Sequence, residues 1–326
     1  MKKLRGRTRS DLFGSLHDDI VLLILCKLSS TASSPSDLIV VLLTCKRLNK
    51  LGVHPMVLSK SCSNVFSLRA KNWCDDAYRF LKLCVNSGNT DAYYTLGMIQ
   101  FYCLQNRGSG ASLMAKAAFK SYAPALYSLA LIQFNGSGAL KSDKDLLAGV
   151  ALCAQAAFLG HIDALRELGY CLQDGYGVTK NVTEGRRLLM QANAQELVSV
   201  LRSKTLKKAD LNYELYNSFG IIHPASKFLV EWFGSIENEL AGQGLKMCCY
   251  MGCGRPETRV NEFRRCSGCG KVKYCSRGCQ VHDWRVHHKV ECGPTEEWAG
   301  HAIPDVEEYN VNGEDEVILD RTTENE

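Results

Sequence analysis

The sequence predicts a mainly α-helical protein with three parts: a small helical segment, a solenoid of paired helices and a compact two-zinc module. Three observations predict this architecture. Eight of the sixteen cysteines fall in the 45 residues from 248 to 292. A motif of small and apolar residues recurs three times, at steps of 33 and 39 residues. An aliphatic-rich stretch with helical spacing precedes these repeats.

Composition limits the possible classes of protein. The chain has 326 residues, with 46% hydrophobic and 22% charged residues, which is typical of a soluble globular protein with two or three domains. It lacks an apolar run near the roughly 20 residues that a membrane span needs. The basic start lacks the apolar region of a signal peptide. We therefore expect a reducing location, the nucleus and/or the cytoplasm, and no membrane partner.

The N-terminal segment divides into a basic arm at residues 1–12, predicted to be disordered, and a helical unit at residues 13–60. The arm fits a nuclear-import signal or a solvated basic end equally well. In the helical unit, apolar residues repeat at helical spacing from Leu16 to Leu28. This unit is too small to bury all of its aliphatic side chains. We therefore expect the remaining ones to contact a partner protein or the rest of the chain.

The residue order in this unit carries a resemblance. Leu16-x-Asp18-Asp19 is followed by Ile24-Leu25-x-x-Leu28, a loop, and Thr44-Cys45-Lys46-Arg47-Leu48-Asn49. This order resembles an F-box. The resemblance implies that the segment binds a Skp-type adaptor through Leu16, Ile20, Leu23 and Ile24.

Residues 70–205 contain the repeats. Asp91-Ala92-x-x-x-Leu96-Gly97 is matched by Pro124-Ala125-Leu126-x-x-Leu129-Ala130 and by Asp163-Ala164-Leu165-x-x-Leu168-Gly169. We expect a turn-forming Gly-x-Gly after each copy, at Gly108-Gly110, Gly136-Gly138 and Gly175-Gly177, and small residues that let paired helices approach. The motif resembles the Sel-type α/α repeats, relatives of the tetratricopeptide repeats, which implies a protein-binding scaffold.

Two flanking regions are less informative. Residues 206–245 are predicted to form capping and linker helices that cover the end of the solenoid and join it to the zinc module. The acidic tail, residues 296–326, is predicted to be disordered. Within the tail, Glu316-Val317-Ile318-Leu319-Asp320 has the pattern of a short interaction motif or of a solvated end.

Four close pairs of metal-ligand residues lie between residues 248 and 292. Their short spacing lets one turn present both ligands of a pair, and eight ligands suffice for two tetrahedral zinc ions. The sequence leaves two choices open: Cys249 could replace Cys248, and His287 could replace His288. The predicted ligands are Cys248, Cys253, Cys266, Cys269, Cys275, Cys279, His288 and Cys292.

The order of these pairs, with Tyr274-Cys275-Ser276 and Asp283-Trp284, resembles a MYND zinc finger. The resemblance implies that the pairs alternate: the first and third share one ion, and the second and fourth share the other. It also implies that Gln280 and Trp284, with Ser267, bind a proline-rich peptide. The Trp284-to-His288 interval is one residue longer than is common in that family.

Together the three parts resemble a plant family of F-box proteins. This architecture implies a substrate-recognition subunit of an SCF-type ubiquitin ligase, which bridges a Skp-type adaptor and cullin complex to a target protein, with the finger as a recognition head at the far end of the solenoid. The alternative is a MYND scaffold or corepressor with no ligase role. Because all the zinc ligands come from the protein, we expect no catalysis. Acidic residues interrupt the basic residues of the finger, so we do not expect nucleic-acid binding.

Overall fold

The computed structural model describes residues 15–204 and 222–293. The predicted basic arm and acidic tail, and the first part of the predicted linker, lie outside these ranges. No helix within the described ranges is both long enough and apolar enough to cross a membrane.

Four short helices form the N-terminal part. They are α1 (Asp18–Thr31), α2 (Pro35–Thr44), α3 (Lys46–Gly52) and α4 (Pro55–Ser59). Arg47 fixes the start of α1, because its guanidinium donates to the Leu16 carbonyl and, over 2.8 Å, to Asp18. One face of α1 buries Val21 and Leu25 in a hydrophobic core shared with the first solenoid helices. The N-terminal part is therefore docked onto the solenoid.

In the part of the chain that the structure describes, seven helices form the solenoid. They are α5 (Asp75–Asn86), α6 (Thr90–Met98), α7 (Arg107–Phe119), α8 (Ala123–Asn135), α9 (Leu146–Phe158), α10 (Ile162–Asp174) and α11 (Val182–Lys204). The three copies of the predicted motif lie in α6, α8 and α10, and each of these helices packs against the helix that follows it. The predicted solenoid of paired helices is confirmed.

Small residues allow close helix contacts at two of these pairs. A Cβ atom on Gly110 would lie 2.7 Å from the Gly97 carbonyl oxygen, and one on Gly185 would lie 2.6 Å from the Gly169 carbonyl oxygen. Real Cβ contacts are not this short, so only glycine permits these crossings.

One predicted turn is wrong. Gly136 and Gly175 do end their helices, with φ of 62° and 72°, but Gly108 and Gly110 lie inside α7. The reason is that α6 continues as a π-helical turn, Ile99–Cys103, so that few residues remain for a loop before α7. Gly110 instead corresponds to Gly149 and Gly185, near the start of the second helix of each pair.

Within residues 222–246 of the described structure lie two helices, α12 (Pro224–Gly234) and α13 (Glu237–Gly242). We expected them to cap the solenoid's end, but α12 packs against α6 and the short 3-10 turns that precede α5. Its Phe228 ring lies 5.4 Å from Trp73, and its Leu229 and Phe233 join Met98 in a second core. The chain therefore returns to the first repeat before the zinc module begins.

The zinc module contains a two-stranded antiparallel sheet, β1 (Arg264–Arg265) and β2 (Lys273–Tyr274), in which Arg264 faces Tyr274. It continues with α14 (Arg277–Asp283), a π-helical segment (Trp284–His288) and a short final helix, α15 (Lys289–Glu291). Its buried cysteines share one hydrophobic core with α8, α9 and α10. The finger thus packs along the repeats, whereas the sequence placed it as a recognition head at the far end of the solenoid.

Candidate zinc centre and peptide groove

The first and third ligand pairs form one cluster. The sulfur atoms of Cys248, Cys253, Cys275 and Cys279 all lie within 4.8 Å of one another, and all four residues are buried. The Cys253–Cys275 and Cys275–Cys279 sulfur distances are 3.4 and 3.6 Å. A tetrahedral zinc ion with bonds of about 2.3 Å requires sulfur separations of about 3.8 Å, so the donor set and its size fit zinc.

The second and fourth pairs form the other cluster. Cys266 and Cys292 have their sulfurs 3.9 Å apart, and the Cys269 sulfur lies 3.5 Å from His288 Nε2. Three thiolates and one imidazole are also a closed zinc ligand set. The finger therefore has two four-ligand zinc sites, and the predicted alternation of pairs agrees with the geometry.

The structure resolves both open ligand choices. Cys248 is 5% exposed and lies in the first cluster. Cys249 is exposed, and its sulfur accepts a hydrogen bond from the Lys273 amide. His288 is 3% exposed, whereas the ring of His287 is exposed and pairs with Glu291 over 3.2 Å.

The long interval between Trp284 and His288 also has a structural explanation. These residues bound a π-helical segment, and a π turn accommodates one more residue than an α turn does. The extra residue is absorbed there, so that His288 is buried in the second zinc site while Trp284 stays 39% exposed.

A buried ionic network joins the finger to the repeats. The guanidinium of Arg166 on α10 is 1% exposed and binds Asp163 over 2.9 Å and Glu196 on α11 over 2.8 Å. Asp163 also accepts from His282 of the finger over 2.7 Å. Burial alone would raise the pKa of Asp163, but the hydrogen bond and charge of His282, with Arg166, hold that pKa below its usual value.

A second contact caps the finger helix. The carboxylate of Glu167 accepts hydrogen bonds from the backbone amides of Arg277, over 2.9 Å, and Gly278, over 3.4 Å, at the start of α14. Ser276 caps the same end by accepting from the Cys279 amide. Burial raises the pKa of Glu167, against the opposing effect of Arg264 and the two amides. The solenoid thus holds the helix that carries Cys279.

Arg255 links the first zinc site to α8. One of its nitrogens lies 3.5 Å from the Cys253 sulfur, and another donates to Ser128 over 2.9 Å. A guanidinium beside four thiolates partly balances the negative charge that a Cys₄ zinc site carries. The hydroxyl groups of Ser128 and Tyr94 lie 3.0 Å apart, so this contact extends to the first repeat.

No motif predicted this finger-binding face, although the repeats contain a signal for it. Two adjacent positions in each motif copy carry polar side chains, and all six residues are buried in the structure. An apolar solenoid core does not need polar groups at these positions, so they indicated a further packed module. The residues are Tyr94 and Thr95, Tyr127 and Ser128, and Arg166 and Glu167.

The three predicted peptide-binding residues lie around one cavity. Ser267, Gln280 and Trp284 line an open groove of about 590 Å³ between the finger and α10, and Tyr170 forms its solenoid side. The structure brings these residues together. Their role in binding a peptide stays a prediction.

The predicted adaptor-binding residues lie on the outer side of α1. Ile20 is 47%, Leu23 59% and Ile24 41% exposed, while Leu16 is half-buried. Exposed Ile39, Val40 and Leu43 of α2 add further apolar surface. We call Ile20, Leu23 and Ile24 the α1 face; adaptor binding by this face stays a prediction.

Two family models match parts of the chain. The family model described as plant tetratricopeptide repeats matches residues 64–156, and the MYND finger model matches residues 249–292. A solved structure of a Sel1 repeat protein from Oxalobacter formigenes is similar over 36% of this chain and 89% of that protein, at 24% identity and a TM-score of 0.33.

Two curated relatives match most of the chain. F-box protein At5g50450 of Arabidopsis thaliana is 62% identical over 302 residues, which cover 91% of this chain and 90% of the relative. F-box protein At1g67340 of the same plant is 55% identical over 314 residues, which cover 89% of this chain and 83% of the relative. The chain therefore belongs to the family of F-box proteins that these two Arabidopsis sequences represent.

Proposed function

We propose that this protein is the substrate-recognition subunit of an SCF-type ubiquitin ligase and that its α1 face binds a Skp-type adaptor and, through it, a cullin complex. The observation that carries the proposal is that α1, in a member of an F-box family, buries one face and exposes an aliphatic face on the other side. Val21 and Leu25 anchor the helix to the solenoid, while Ile20, Leu23 and Ile24 stay exposed. Contiguous exposed aliphatic surface of this kind marks protein interfaces.

The rest of the chain acts as a rigid bridge in this proposal. The N-terminal helices share a core with the first repeat, and the finger shares another with the later repeats. A target held at the finger would therefore stay at a fixed distance from the adaptor, and the chain would contribute proximity and orientation. Ubiquitin transfer would take place on another subunit, in the nucleus and/or the cytoplasm, and this chain would not be an enzyme.

The target-binding site in this proposal is the groove formed by Ser267, Gln280, Trp284 and Tyr170, with a proline-rich peptide as its ligand. A partly exposed indole beside an amide side chain suits such a peptide. Nucleic acid is a weaker candidate because much of the finger's positive charge is used internally. Arg255 and Lys273 are buried, and Lys273 pairs with Glu257 over 3.1 Å.

Affinity purification with a Skp-type adaptor tests the proposal. The wild-type chain should retain the adaptor, and a variant with Ile20→Asp and Leu23→Asp should lose it. A matched control places the same charges on two other exposed apolar residues, Phe119→Asp and Phe158→Asp, which are 93% and 92% exposed on the solenoid. Equal recovery of adaptor by all three proteins, or by none of them, would favour a scaffold or corepressor without a ligase role.

A further inference from the structure

The peptide groove is more basic than its predicted ligand requires. Four arginines line it: Arg264, Arg265, Arg277 and Arg285. Arg277 is paired with Asp174, and Arg285 is paired with Glu196.

In the described ranges, neither of the other two arginines, Arg264 and Arg265, has a carboxylate within ion-pair distance. Arg264 lies over the Tyr176 ring at 4.5 Å, and Arg265 donates to the Asn261 amide oxygen over 3.2 Å. Neither contact neutralises the arginine. The charge of Arg264 favours the ionised form of the nearby buried Glu167, whereas Arg265 is exposed. The groove therefore presents one free cationic group, Arg265, beside a second arginine whose charge is partly balanced.

Apolar and aromatic surface lies beside these cations. Tyr170, Val281 and the half-exposed Trp284 line the same cavity. A surface of this type suits a short peptide that places aliphatic side chains on the aromatic groups and acidic side chains against the arginines.

The chain itself contains such a peptide. Residues 303–326 include nine acidic residues and one arginine, and within them three consecutive aliphatic residues have acids on both sides. This segment reads Glu314-Asp315-Glu316-Val317-Ile318-Leu319-Asp320. We call it the acidic–aliphatic segment.

The described fold ends beside the groove. Gly293 follows Cys292, a ligand of the second zinc site. The Cys292 sulfur lies 3.0 Å from the position of a Cβ atom on Gly268, and Gly268 follows Ser267, which lines the groove. The tail therefore leaves the finger near the groove's own rim.

We propose that the acidic–aliphatic segment docks in this groove of its own chain. Twenty residues, 294–313, connect it to Gly293. A random-coil chain of that length spans about 25 Å on average and about 70 Å at most, which is enough to reach the groove. The proposal rests on the proposed role of the groove in binding peptides and is independent of adaptor binding by α1.

Tethering makes even a weak contact effective. A short flexible link gives an effective concentration of about 1 mM, so a segment with an intrinsic dissociation constant of about 0.1 mM would occupy the groove about nine-tenths of the time. A target peptide would then have to displace the tail, and its apparent affinity would fall about tenfold. The tail would thereby select for targets that bind the groove tightly.

The test measures the binding of a fluorescein-labelled peptide of residues 312–322 to zinc-loaded full-length chains by fluorescence anisotropy. The tail variant removes four charges from the segment: Glu314→Gln, Asp315→Asn, Glu316→Gln and Asp320→Asn. The matched control removes four charges elsewhere in the tail: Asp305→Asn, Glu307→Gln, Glu308→Gln and Glu324→Gln. A zinc content of two per chain checks the fold of each protein.

The tail variant should bind the peptide about tenfold more tightly than the wild type, and the control should match the wild type. Adding Arg265→Glu to the tail variant should abolish this binding. Similar affinity of the wild type and the tail variant for the peptide would overturn the proposal. If both bound it, the groove would be assigned to acidic peptides of other proteins. If neither bound it, the groove would not be a site for this segment. A difference between the wild type and the tail variant that grows with protein concentration would also overturn the proposal, because the segment would then dock on a second copy of the chain.

Discussion

At the scale of single residues, the most consequential feature is a set of buried charges that no motif identified. Arg166 lies at a position that is tyrosine in the two preceding repeats, and it is fully buried between Asp163 and Glu196. Desolvation makes a buried charge costly unless its partners remain. The network connects the finger to the repeats through His282 and Arg285, and the loss of Arg166 would leave the buried Glu196 with one cationic partner fewer.

We predict that Arg166→Met destabilises the protein by about 1.5–3 kcal/mol, because it removes charged hydrogen bonds to Glu196 and Asp163, although Arg285 and His282 still contact these carboxylates. A matched control is Arg187→Met, which removes an exposed Arg187–Glu184 pair on α11. That change should cost about 0–1 kcal/mol. Urea unfolding of zinc-loaded proteins measures both values, and similar losses for the two variants would contradict the account of the interface.

A second prediction concerns pH and His223, which precedes α12. Its ring contacts the Tyr122 hydroxyl over 3.0 Å and accepts from the Ala225 amide over 3.1 Å. Burial, with the nearby His161 and Arg255, lowers the pKa of His223 to about 4. Since this value is below the unfolded value of about 6.5, the neutral ring's contribution is complete above pH 6.5 and is lost as the pH falls toward 4.

Between pH 7.5 and 5.5 the wild type should therefore lose about 1 kcal/mol more unfolding free energy than His223→Gln, in which this group no longer titrates. Urea unfolding at the two pH values measures the difference. Comparing the losses within each protein cancels the effect of acid on the zinc sites, which both proteins share. Equal losses would show that His223 is not held neutral by its surroundings.

At the scale of elements, the finger's turns and helices determine which residues reach the zinc ions. The π-helical segment Trp284–His288 places His288 inward and leaves His287 at the surface. The antiparallel pair of strands leaves Cys249 hydrogen-bonded to Lys273 and outside both clusters. Backbone geometry thus keeps Cys249 and His287, whose side chains could bind zinc, out of both zinc sites.

Zinc content tests this assignment. Cys249→Ser and His287→Gln should each keep two zinc ions per chain, whereas Cys248→Ser and His288→Gln should each keep about one, because an incomplete ligand set binds zinc weakly. Metal analysis of purified proteins after dialysis provides the measurement. If Cys249→Ser lost zinc while Cys248→Ser kept it, or if His287→Gln lost zinc while His288→Gln kept it, the ligand assignment of those two residues would be exchanged.

The close helix pairs of the solenoid give another prediction. Gly110→Ala should destabilise the protein by about 1–3 kcal/mol, because the added Cβ would lie 2.6 Å from the Phe101 nitrogen and force α6 and α7 apart. Gly108→Ala is the control on the same helix, because an added Cβ there has no neighbour within 4 Å. It should be neutral or stabilising by up to about 1 kcal/mol. Thermal unfolding distinguishes the two, and equal effects would argue against a glycine-dependent crossing.

At the scale of the whole molecule, local patterns predicted the parts better than their arrangement. Cys266 and Cys269 lie within one turn, and the copies that contain Ala92, Ala125 and Ala164 recur along the chain, so sequence spacing was sufficient to identify the finger and the helix pairs. Asp163 and His282 are 119 residues apart, and no local pattern pairs them. The position of α12 was missed for a related reason: the apolar face around Phe228 fits either end of a solenoid.

This arrangement changes how the molecule can work. The finger packs on the later repeats, and the first repeat shares a core with the N-terminal helices. In the proposed function, the α1 face and the groove are therefore two sites on one rigid body, and the distance between them is set by the fold.

The most direct test of the central claim is reconstitution from purified components. The full-length, zinc-loaded chain is mixed with a Skp-type adaptor and a cullin, and the mixture is analysed by size-exclusion chromatography with mass measurement. We predict one complex that contains a single copy of each protein, which is lost with Ile20→Asp and Leu23→Asp and kept with Phe119→Asp and Phe158→Asp. A wild-type chain that elutes apart from the adaptor at micromolar concentrations would contradict the claim.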